Sequence, residues 1–160
     1  MKTTLAGYCN RAGLIGLIVL VTGCGPDVPP GELAHGQEPY LRHCASCHGD
    51  DGAGKPPAFP PLAGSEWLEL GPEAVALITL YGLRGEIEVA GRRYRGFMPP
   101  MHHLADEDIV ALLAYIGTAW ADWSELPDAA DIEQLRGVRS RRQPLEGLGG
   151  VKQALEEIDS

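Results

Sequence analysis

The sequence has little of what marks a nucleic-acid-binding or membrane-spanning protein. Lys and Arg number only 13 against 22 Asp and Glu, and phosphates repel the resulting formal net charge of −9. The main apolar run covers only residues 12–21, whereas a helix that crosses a bilayer needs roughly 20 apolar residues. Internal repeats and glycine-rich phosphate loops are also lacking. These absences argue against a nucleic-acid partner and do not favour a transmembrane span.

Aromatic residues and cysteines are few as well. Aromatics make up 6% of the chain, while 21 Gly and 13 Pro indicate many turns and a modest core. Such a core gains from a large apolar cofactor around which it can condense. Four cysteines at these spacings do not suit a secreted disulfide scaffold, and Cys9 and Cys24 lie in or beside an N-terminal export segment. Cys44 and Cys47 remain for chemistry.

The N-terminus is typical of an export signal. A weakly positive start precedes the apolar run 12–21, which ends in Val21-Thr22-Gly23-Cys24. This ending resembles a bacterial lipobox, in which lipid is attached to the cysteine after cleavage before it. An ordinary cleaved signal peptide and an uncleaved anchor are the alternatives. We expect a lipoprotein-type signal peptide over residues 1–23, lipidation of Cys24, and a Pro/Gly-rich tether over 24–33 on the periplasmic face of a bacterial membrane.

The residues Cys44-Ala45-Ser46-Cys47-His48 form the C-x-x-C-H pattern of c-type haem attachment. One helical turn and a bend place two thiols under the two vinyl groups of a porphyrin, where each can form a thioether. The adjacent His48 then reaches the iron from one side of the ring. The pattern predicts one covalent haem c, with His48 as an axial ligand.

Two other interpretations of this motif are open. A thiol redox pair usually opens a helix after a strand in a βαβ unit, and no strand is predicted before Cys44. A zinc site needs two further ligands, and a second pair at regular spacing is missing. The candidate histidines for such a site are His35, His43, His48, His102 and His103.

Met98 is the predicted sixth ligand of the iron. It lies before the long C-terminal helix, and Met/His ligation raises the reduction potential and suits electron transfer. Met101 is the rival, but Pro99 and Pro100 stiffen the loop that presents Met98, which favours Met98. His102 and His103 lie close enough to keep bis-histidine ligation as a minority alternative.

Hydrophobic spacing and turn residues predict the main elements. The predicted elements are a helix from about Gly36 to Cys44, with Pro39 in its first turn, a helix from Pro72 to near Gly82, a small hairpin over residues 86–94 and a helix over Asp106–Trp120. Beyond Asp122 the pattern becomes a polar tail. Val151, Leu155 and Ile158 could line one face of a last short helix there.

The sequence resembles class I, single-haem cytochromes c over about residues 33–120. Four blocks carry the resemblance: CASCHG at Cys44–Gly49, FPPLAGSEW at Phe59–Trp67, YRGFMP at Tyr94–Pro99 and LADEDIVALLAYI at Leu104–Ile116. It implies a small, mostly α cytochrome c fold over residues 34–122. Three to five helices would pack around one covalent haem, with a short β-hairpin, and 123–160 would form a C-terminal tail.

The resemblance also implies particular contacts. Gly36 and Tyr40 of the first helix should cross the last helix at Leu112 and Tyr115, where glycine allows close backbone approach. The carbonyl of Pro60 should accept the second ring N–H of His48 and thereby orient this ligand.

A finer similarity concerns the electron partner. GLRGEIEVAG at residues 82–91, with Val138, Arg139 and Pro144, resembles cytochromes that accompany or are fused to periplasmic quinoprotein dehydrogenases and copper nitrite reductases. This implies a relay of electrons between a catalytic centre and another carrier. Ala105 stands where that family often has a Ser helix cap, so Asp106 is expected to cap instead.

The expected function is therefore electron transport by a non-enzymatic, membrane-tethered carrier with a redox protein partner, namely a dehydrogenase, reductase or oxidase. The alternatives are a haem enzyme or gas sensor with a labile sixth ligand, and a metal-binding or structural lipoprotein without haem. Arg92, Arg93 and Arg95 beside Met98 would form a docking patch, a counter-charge for haem propionates, or merely a solvated hairpin.

Overall fold

The structure of the chain is a computed structural model that describes residues 30–139 and 143–158, with side chains from residue 35 onward. The predicted signal peptide, the lipidation site Cys24 and most of the predicted tether lie outside the described residues. Within that part of the chain, no helix combines the length and the apolar character needed to span a membrane.

Six α-helices and a three-stranded sheet make up the described part of the chain. The helices are α1 (Pro30–His43), α2 (Ala45–His48), α3 (Pro72–Tyr81), α4 (Asp106–Trp120), α5 (Ala129–Gly137) and α6 (Gly147–Glu156), and a 3-10 helix spans Glu66–Leu70. The strands are β1 (Leu83–Val89), β2 (Arg92–Met98) and β3 (Leu145–Glu146). The predicted, mostly helical fold with a hairpin is confirmed, although the helices exceed the predicted three to five.

The first helix is longer than the sequence pattern indicates. It begins at Pro30 rather than near Gly36, so residues 30–33 of the predicted tether are helical. Pro39 lies in the interior of α1 and not in its first turn. The helix continues past this proline to His43, although proline offers no N–H to the preceding turn.

The crossing of α1 and α4 depends on Gly36. A Cβ atom at this position would lie 2.0 Å from the carbonyl oxygen of Ala111 and 2.9 Å from Cβ of Tyr115. The glycine thus lets the two backbones touch, as the resemblance implied. The contact falls on Ala111 and Tyr115, one residue from the expected Leu112, which is buried beside it.

Tyr40 links this crossing to the C-x-x-C-H motif. Its ring centroid lies 5.2 Å from that of Tyr115 and 5.1 Å from that of Trp120. Its buried hydroxyl donates a 2.6 Å hydrogen bond to the carbonyl of Gly49, which directly follows the motif. The helix crossing and the motif are therefore packed as one unit.

The start of α4 differs from the prediction. Ala105 occupies the cap position without a side-chain hydrogen bond, and Asp106 does not cap the helix in its place. The carboxylate of Asp106 instead accepts a 2.6 Å hydrogen bond from Nε of Arg136, a residue of α5. A residue distant in sequence thus binds the carboxylate that was expected to cap the helix.

The strands β1 and β2 pair antiparallel from Leu83 opposite Met98 to Val89 opposite Arg92. Met98 is thus the last residue of a strand, not a loop residue. Alternation along the two strands places Leu83, Ile87, Tyr94 and Met98 on one face of the sheet. The short strand β3 adds a parallel neighbour on the other edge of β1, with Leu145 opposite Leu83.

The C-terminal tail packs onto the domain. Five of its apolar side chains belong to the main core: Ile132, Leu135, Leu145, Val151 and Ala154. The helix α5, closed by a capping box between Asp128 and Asp131, was not predicted from the polar sequence. The predicted last helix corresponds to α6, but Ile158 lies beyond its end and is 39% exposed.

Candidate haem site

A cleft of about 350 Å³ opens between α2, the loop 58–60 and the β1–β2 hairpin. This volume lies within the range of small-molecule and cofactor sites. The wall formed by the sheet is mainly apolar, and the opposite wall carries the C-x-x-C-H motif. The lining includes Cys44, Cys47, His48, Phe59, Pro60, Leu83, Ile87, Tyr94, Phe97, Met98 and Met101.

The motif consists of Cys44, which caps α2, and the single turn of α2 itself. The amide of Cys44 donates to the carbonyl of Tyr40 at 2.8 Å, and the amide of His48 donates to the carbonyl of Cys44 at 2.9 Å. One helical turn therefore presents both thiols and the imidazole to the cleft. Both cysteines are half-buried, and neither forms a disulfide.

The thiol chemistry of Cys44 argues against a redox pair. Burial, with a smaller contribution from Cys47, raises the pKa of the Cys44 thiol to about 12. Reactive cysteines have lowered pKa values, since the thiolate is the nucleophile. Moreover, the first strand of the described chain is β1, so no strand precedes the motif as in a βαβ unit.

The imidazole of His48 is oriented by the loop that follows it. Nδ1 lies 3.0 Å from the carbonyl oxygen of Pro60. A carbonyl only accepts, so Nδ1 carries the proton and Nε2 keeps its lone pair. Burial lowers the pKa of His48, and the bond to Pro60 opposes this in part. The result is a neutral imidazole with one nitrogen available to a metal.

Gly54 allows the loop to return to the motif. Its φ is +73°, and its amide donates a 2.7 Å hydrogen bond to the carbonyl of His48. A Cβ atom here would lie 2.7 Å from the carbonyl oxygen of Pro60. A side chain at this position would therefore displace the acceptor that orients His48.

The two candidate methionines both reach the cleft. Met98 and Met101 are each partly buried and line it, so the choice between them stays a prediction. The backbone of Met101 is fixed by a 2.7 Å hydrogen bond from its amide to the carbonyl of Thr79. His102 and His103 are exposed and are absent from the residues that line the cleft, which disfavours bis-histidine ligation.

The zinc alternative finds no support in the described residues. Among residues 30–139 and 143–158, no three His, Cys, Asp or Glu side chains come together in a way that could hold a metal ion. The ring of His103 does lie 5.8 Å from that of His43, centroid to centroid, but this is only a pair. The donor set that the cleft does offer, two thiols, a neutral imidazole and a thioether, fits haem c.

The three arginines of β2 lie outside the cleft. Arg95 donates a 2.6 Å hydrogen bond to Glu86, and Arg93 lies 3.8 Å from the same carboxylate. The arginine that does line the cleft is Arg84, which pairs with Glu146 of β3 at 2.5 Å.

Sequence reasoning missed Arg84 and the apolar wall of the cleft. Strand alternation in the hairpin carries the signal for Leu83, Ile87 and Tyr94, since all three share a face with Met98.

Comparisons with known proteins agree with this site. The sequence model of the family described as cytochrome c matches residues 33–120. A cytochrome c-552 of Thermus thermophilus is 50% identical over 93 residues, covering 56% of this chain and 70% of the relative. For a second cytochrome c-552 of the same species, the identity is the same and 62% of the relative is covered.

A more distant relative belongs to an enzyme complex. It is the cytochrome c subunit of an alcohol dehydrogenase (quinone) from Gluconobacter oxydans, 28% identical over 121 residues. The match covers 66% of this chain but only 23% of that subunit. With the family match over more than half its length and the motif, imidazole and thioether gathered in one cleft, this chain belongs to the cytochrome c family of electron carriers, whose cofactor is a covalently bound haem c.

Proposed function

We propose that this chain is an exported, membrane-tethered electron carrier with one His/Met-ligated haem, acting as the electron-transfer subunit or partner of a dehydrogenase or reductase. The observation that carries the proposal is the cleft in which Cys44, Cys47 and a neutral His48 face the strand end that bears Met98. Haem c, when bound, supplies a one-electron Fe(III)/Fe(II) couple.

Each residue has a role that its surroundings support. Cys44 and Cys47 hold the cofactor through thioethers, so the protein keeps it without relying on packing alone. His48 would bind the iron through Nε2, because Pro60 fixes its tautomer and ring orientation. Met98 would be the second protein ligand, with a soft sulfur that favours the ferrous state and raises the potential.

The lining of the cleft supports electron transfer rather than substrate chemistry. No Asp or Glu is among the described residues that line it, and its sheet side is mainly apolar. Such a wall excludes water and offers few groups that could move protons to or from a bound substrate. The haem enzyme or gas sensor is therefore the less favoured function.

A tether and a protein partner complete the proposal. The lipobox-like Val21-Thr22-Gly23-Cys24 supports lipidation of Cys24, and α1 begins only a few residues later, at Pro30. A carrier held this close to a membrane would move only in its plane. The relative that serves as a subunit of a quinone-dependent alcohol dehydrogenase supports a dedicated partner.

The haem proposal is tested by producing the full chain with the c-type haem maturation machinery. A denaturing gel stained for peroxidase activity should show a band, and the reduced protein should give a low-spin spectrum that carbon monoxide does not change. The matched control is the double variant Cys44→Ser/Cys47→Ser, which should leave the band unstained. A wild-type spectrum altered by carbon monoxide would instead favour the enzyme or sensor with a labile ligand.

The tether is tested by fractionation of the producing cells. Wild-type protein and a Cys9→Ala control should remain with the membranes until detergent is added, and should carry a diacylglycerol mass increment. Cys24→Ala should lose the increment. Membrane association that persists unchanged in Cys24→Ala, without any lipid in the wild type, would show an uncleaved anchor instead.

A further inference from the structure

The tail contributes one side chain to the segment that follows Met98. Residues 99–105 connect β2 to α4 and are here called the connecting segment. Nη1 of Arg136 donates to the carbonyl of His102 at 2.7 Å, and Nη2 donates to the carbonyl of Leu104 at 2.5 Å. Nε bonds Asp106 at 2.6 Å. Two nitrogens of the guanidinium thus bind the connecting segment, and the third binds the first residue of α4.

The hydrogen bonds of Arg136 are strengthened by the partial burial of its surroundings. The side chains of Arg136 and Asp106 are each only 26% exposed, so the pair is partly shielded from water and salt. The guanidinium is a rigid, planar fork, and a lysine could not reach three acceptors in this geometry. Two of the acceptors are backbone carbonyls. Arg136 therefore fixes the path of the chain and not merely a side chain.

The base of Arg136 is itself anchored. The hydroxyl of Tyr81, at the end of α3, lies 3.0 Å from the carbonyl oxygen of Leu135 and 2.9 Å from that of Arg136. The same hydroxyl accepts from the amide of Arg139 at 3.2 Å. Leu135 is buried in the core. The end of α5 therefore cannot shift without breaking contacts with α3.

The other end of the connecting segment is held by the sheet. Met98 pairs with Leu83 in β1, and Leu83 pairs on its other side with Leu145 of β3. The tail thus contacts the segment at both ends. The strand β3 pairs with β1, which in turn pairs with Met98, and Arg136 binds the carbonyls that follow Met98. Residues 123–160 lie outside the family match at 33–120, so this support comes from beyond the matched region.

We infer that Arg136 is a positioning residue for the sixth iron ligand, because it holds the connecting segment against the domain and so limits the release of the Met98 thioether. The inference rests on the proposed ligation by Met98. Without Arg136, the connecting segment would keep the hydrogen bond from Met101 to Thr79 but lose the two that fix the carbonyls of His102 and Leu104. The thioether would then leave the iron more often and admit external ligands.

The test uses the ferric holoprotein and imidazole as the incoming ligand. Arg136→Met keeps much of the apolar stem and should raise the rate of imidazole binding about tenfold, since hydrogen bonds from a charged donor are lost. Arg136→Lys should lie between this variant and the wild type. Arg139→Gln is the matched control, because Arg139 lies just beyond α5 but pairs with Glu157.

Two further measurements separate the possible outcomes. Tyr81→Phe loosens α5 but keeps the guanidinium, and urea midpoints are measured for every variant. Imidazole rates that follow the urea midpoints across all variants, Arg136→Met included, would reduce Arg136 to a stability role and overturn the inference.

Met98→Ala tests the premise separately. An unchanged imidazole rate in Met98→Ala would show that the proposed ligation itself is wrong. Fast binding in Met98→Ala together with wild-type rates in Arg136→Met and Arg136→Lys would leave the ligation intact and overturn the inference alone.

Discussion

Burial acts on two neighbouring residues of the motif in opposite directions. Removing water favours the neutral form of each group, so the pKa of His48 falls while that of Cys44 rises to about 12. The carbonyl of Pro60 then determines which nitrogen of the imidazole carries the proton. The chain thus presents a protonated thiol and a neutral ligand through burial and one backbone hydrogen bond.

Met98 and Met101 differ in what their removal should do to the haem iron. Met98→Ala should leave haem covalently attached, because both thioethers remain, but should lower the reduction potential and open the iron to small ligands. Met101→Ala should change neither property appreciably. The measurements are a potentiometric titration and carbon monoxide binding to the reduced protein. The reverse pattern in the two variants would make Met101 the ligand.

Tyr40 gives a prediction about pH. Burial above all, with contributions from nearby ionisable groups including Cys44 and Tyr115, raises the pKa of Tyr40 far above its ordinary value. The contribution of Tyr40 to the free energy of unfolding is therefore complete below about pH 10, where unfolded tyrosine is neutral. This contribution declines at higher pH, because only the unfolded state then releases the proton.

Tyr40→Phe removes both the hydrogen bond to Gly49 and the pH dependence of stability that comes from the Tyr40 hydroxyl. We expect a loss of about 1 kcal/mol of unfolding free energy at pH 7. That difference from the wild type should shrink toward zero near pH 11, by about 1.4 kcal/mol per pH unit above the unfolded pKa. Urea unfolding followed by circular dichroism at both pH values measures it. A difference that stays constant would show that folded Tyr40 ionises freely.

Among the elements, the crossing of α1 and α4 tolerates the least change. Gly36→Ala would place a methyl group 2.0 Å from a carbonyl oxygen of the facing helix. The two helices must separate, and we expect a loss of about 3 kcal/mol or more. Gly149 in α6 is the matched control, since a Cβ placed there meets no described atom within 4 Å beyond its chain neighbours and its own helix backbone, and Ala should stabilise by up to about 1 kcal/mol. Equal urea midpoints for the two variants would contradict the close approach.

Elements with strong local periodicity could be predicted from the sequence. The bounds of α4 and the start of α3 match their predicted residues, because the apolar spacing of α4 and the proline that opens α3 are local signals. The helix α5 has only two buried apolar residues, Ile132 and Leu135, and the polar pattern around them does not indicate a helix. The strand β3 consists of two residues whose partner lies about sixty positions away. Nothing local indicates such a pairing.

The same distinction applies to the site. Cys44, Cys47 and His48 are adjacent in sequence, so one motif indicates them together. The contact between His48 and Pro60 came only from the family resemblance. Tertiary packing creates the cleft wall formed by β1 and β2. It also creates the hydrogen bond from Arg136 to the carbonyl of Leu104. These could not be read from spacing.

At the scale of the whole molecule, charge is unevenly distributed. The chain carries a formal net charge of −9, yet three arginines lie on β2. Arg93 and Arg95 share a single carboxylate, that of Glu86, and Arg92 has no ion-pair partner among the described residues. The hairpin residues 83–98 carry four Arg and two Glu, an excess of two positive charges in an acidic protein, which would favour a partner with an acidic face.

A small anionic oxidant tests this local potential without knowledge of the partner. Neutralising Arg92, Arg93 and Arg95 to Gln should slow oxidation of the reduced protein by hexacyanoferrate(III) about threefold at low salt, and the difference should vanish at high salt. A control with Arg42→Gln, Arg139→Gln and Lys152→Gln removes the same number of positive charges elsewhere. Equal slowing in the control would mean that only total charge matters and would reject a docking role for the patch.

The burial of the tail also limits how this chain could be recombined. Leu145, Val151 and Ala154 fill the core beside α3 and β1, although they lie well beyond the region shared with the family. A gene fusion that replaced the residues after Trp120 with a new domain would remove these three side chains. The apolar surface of α3 and β1 would then be exposed, and the product would tend to aggregate. A junction placed after α6 would not. Residues 33–120, which the family model matches, are thus not by themselves an exchangeable module.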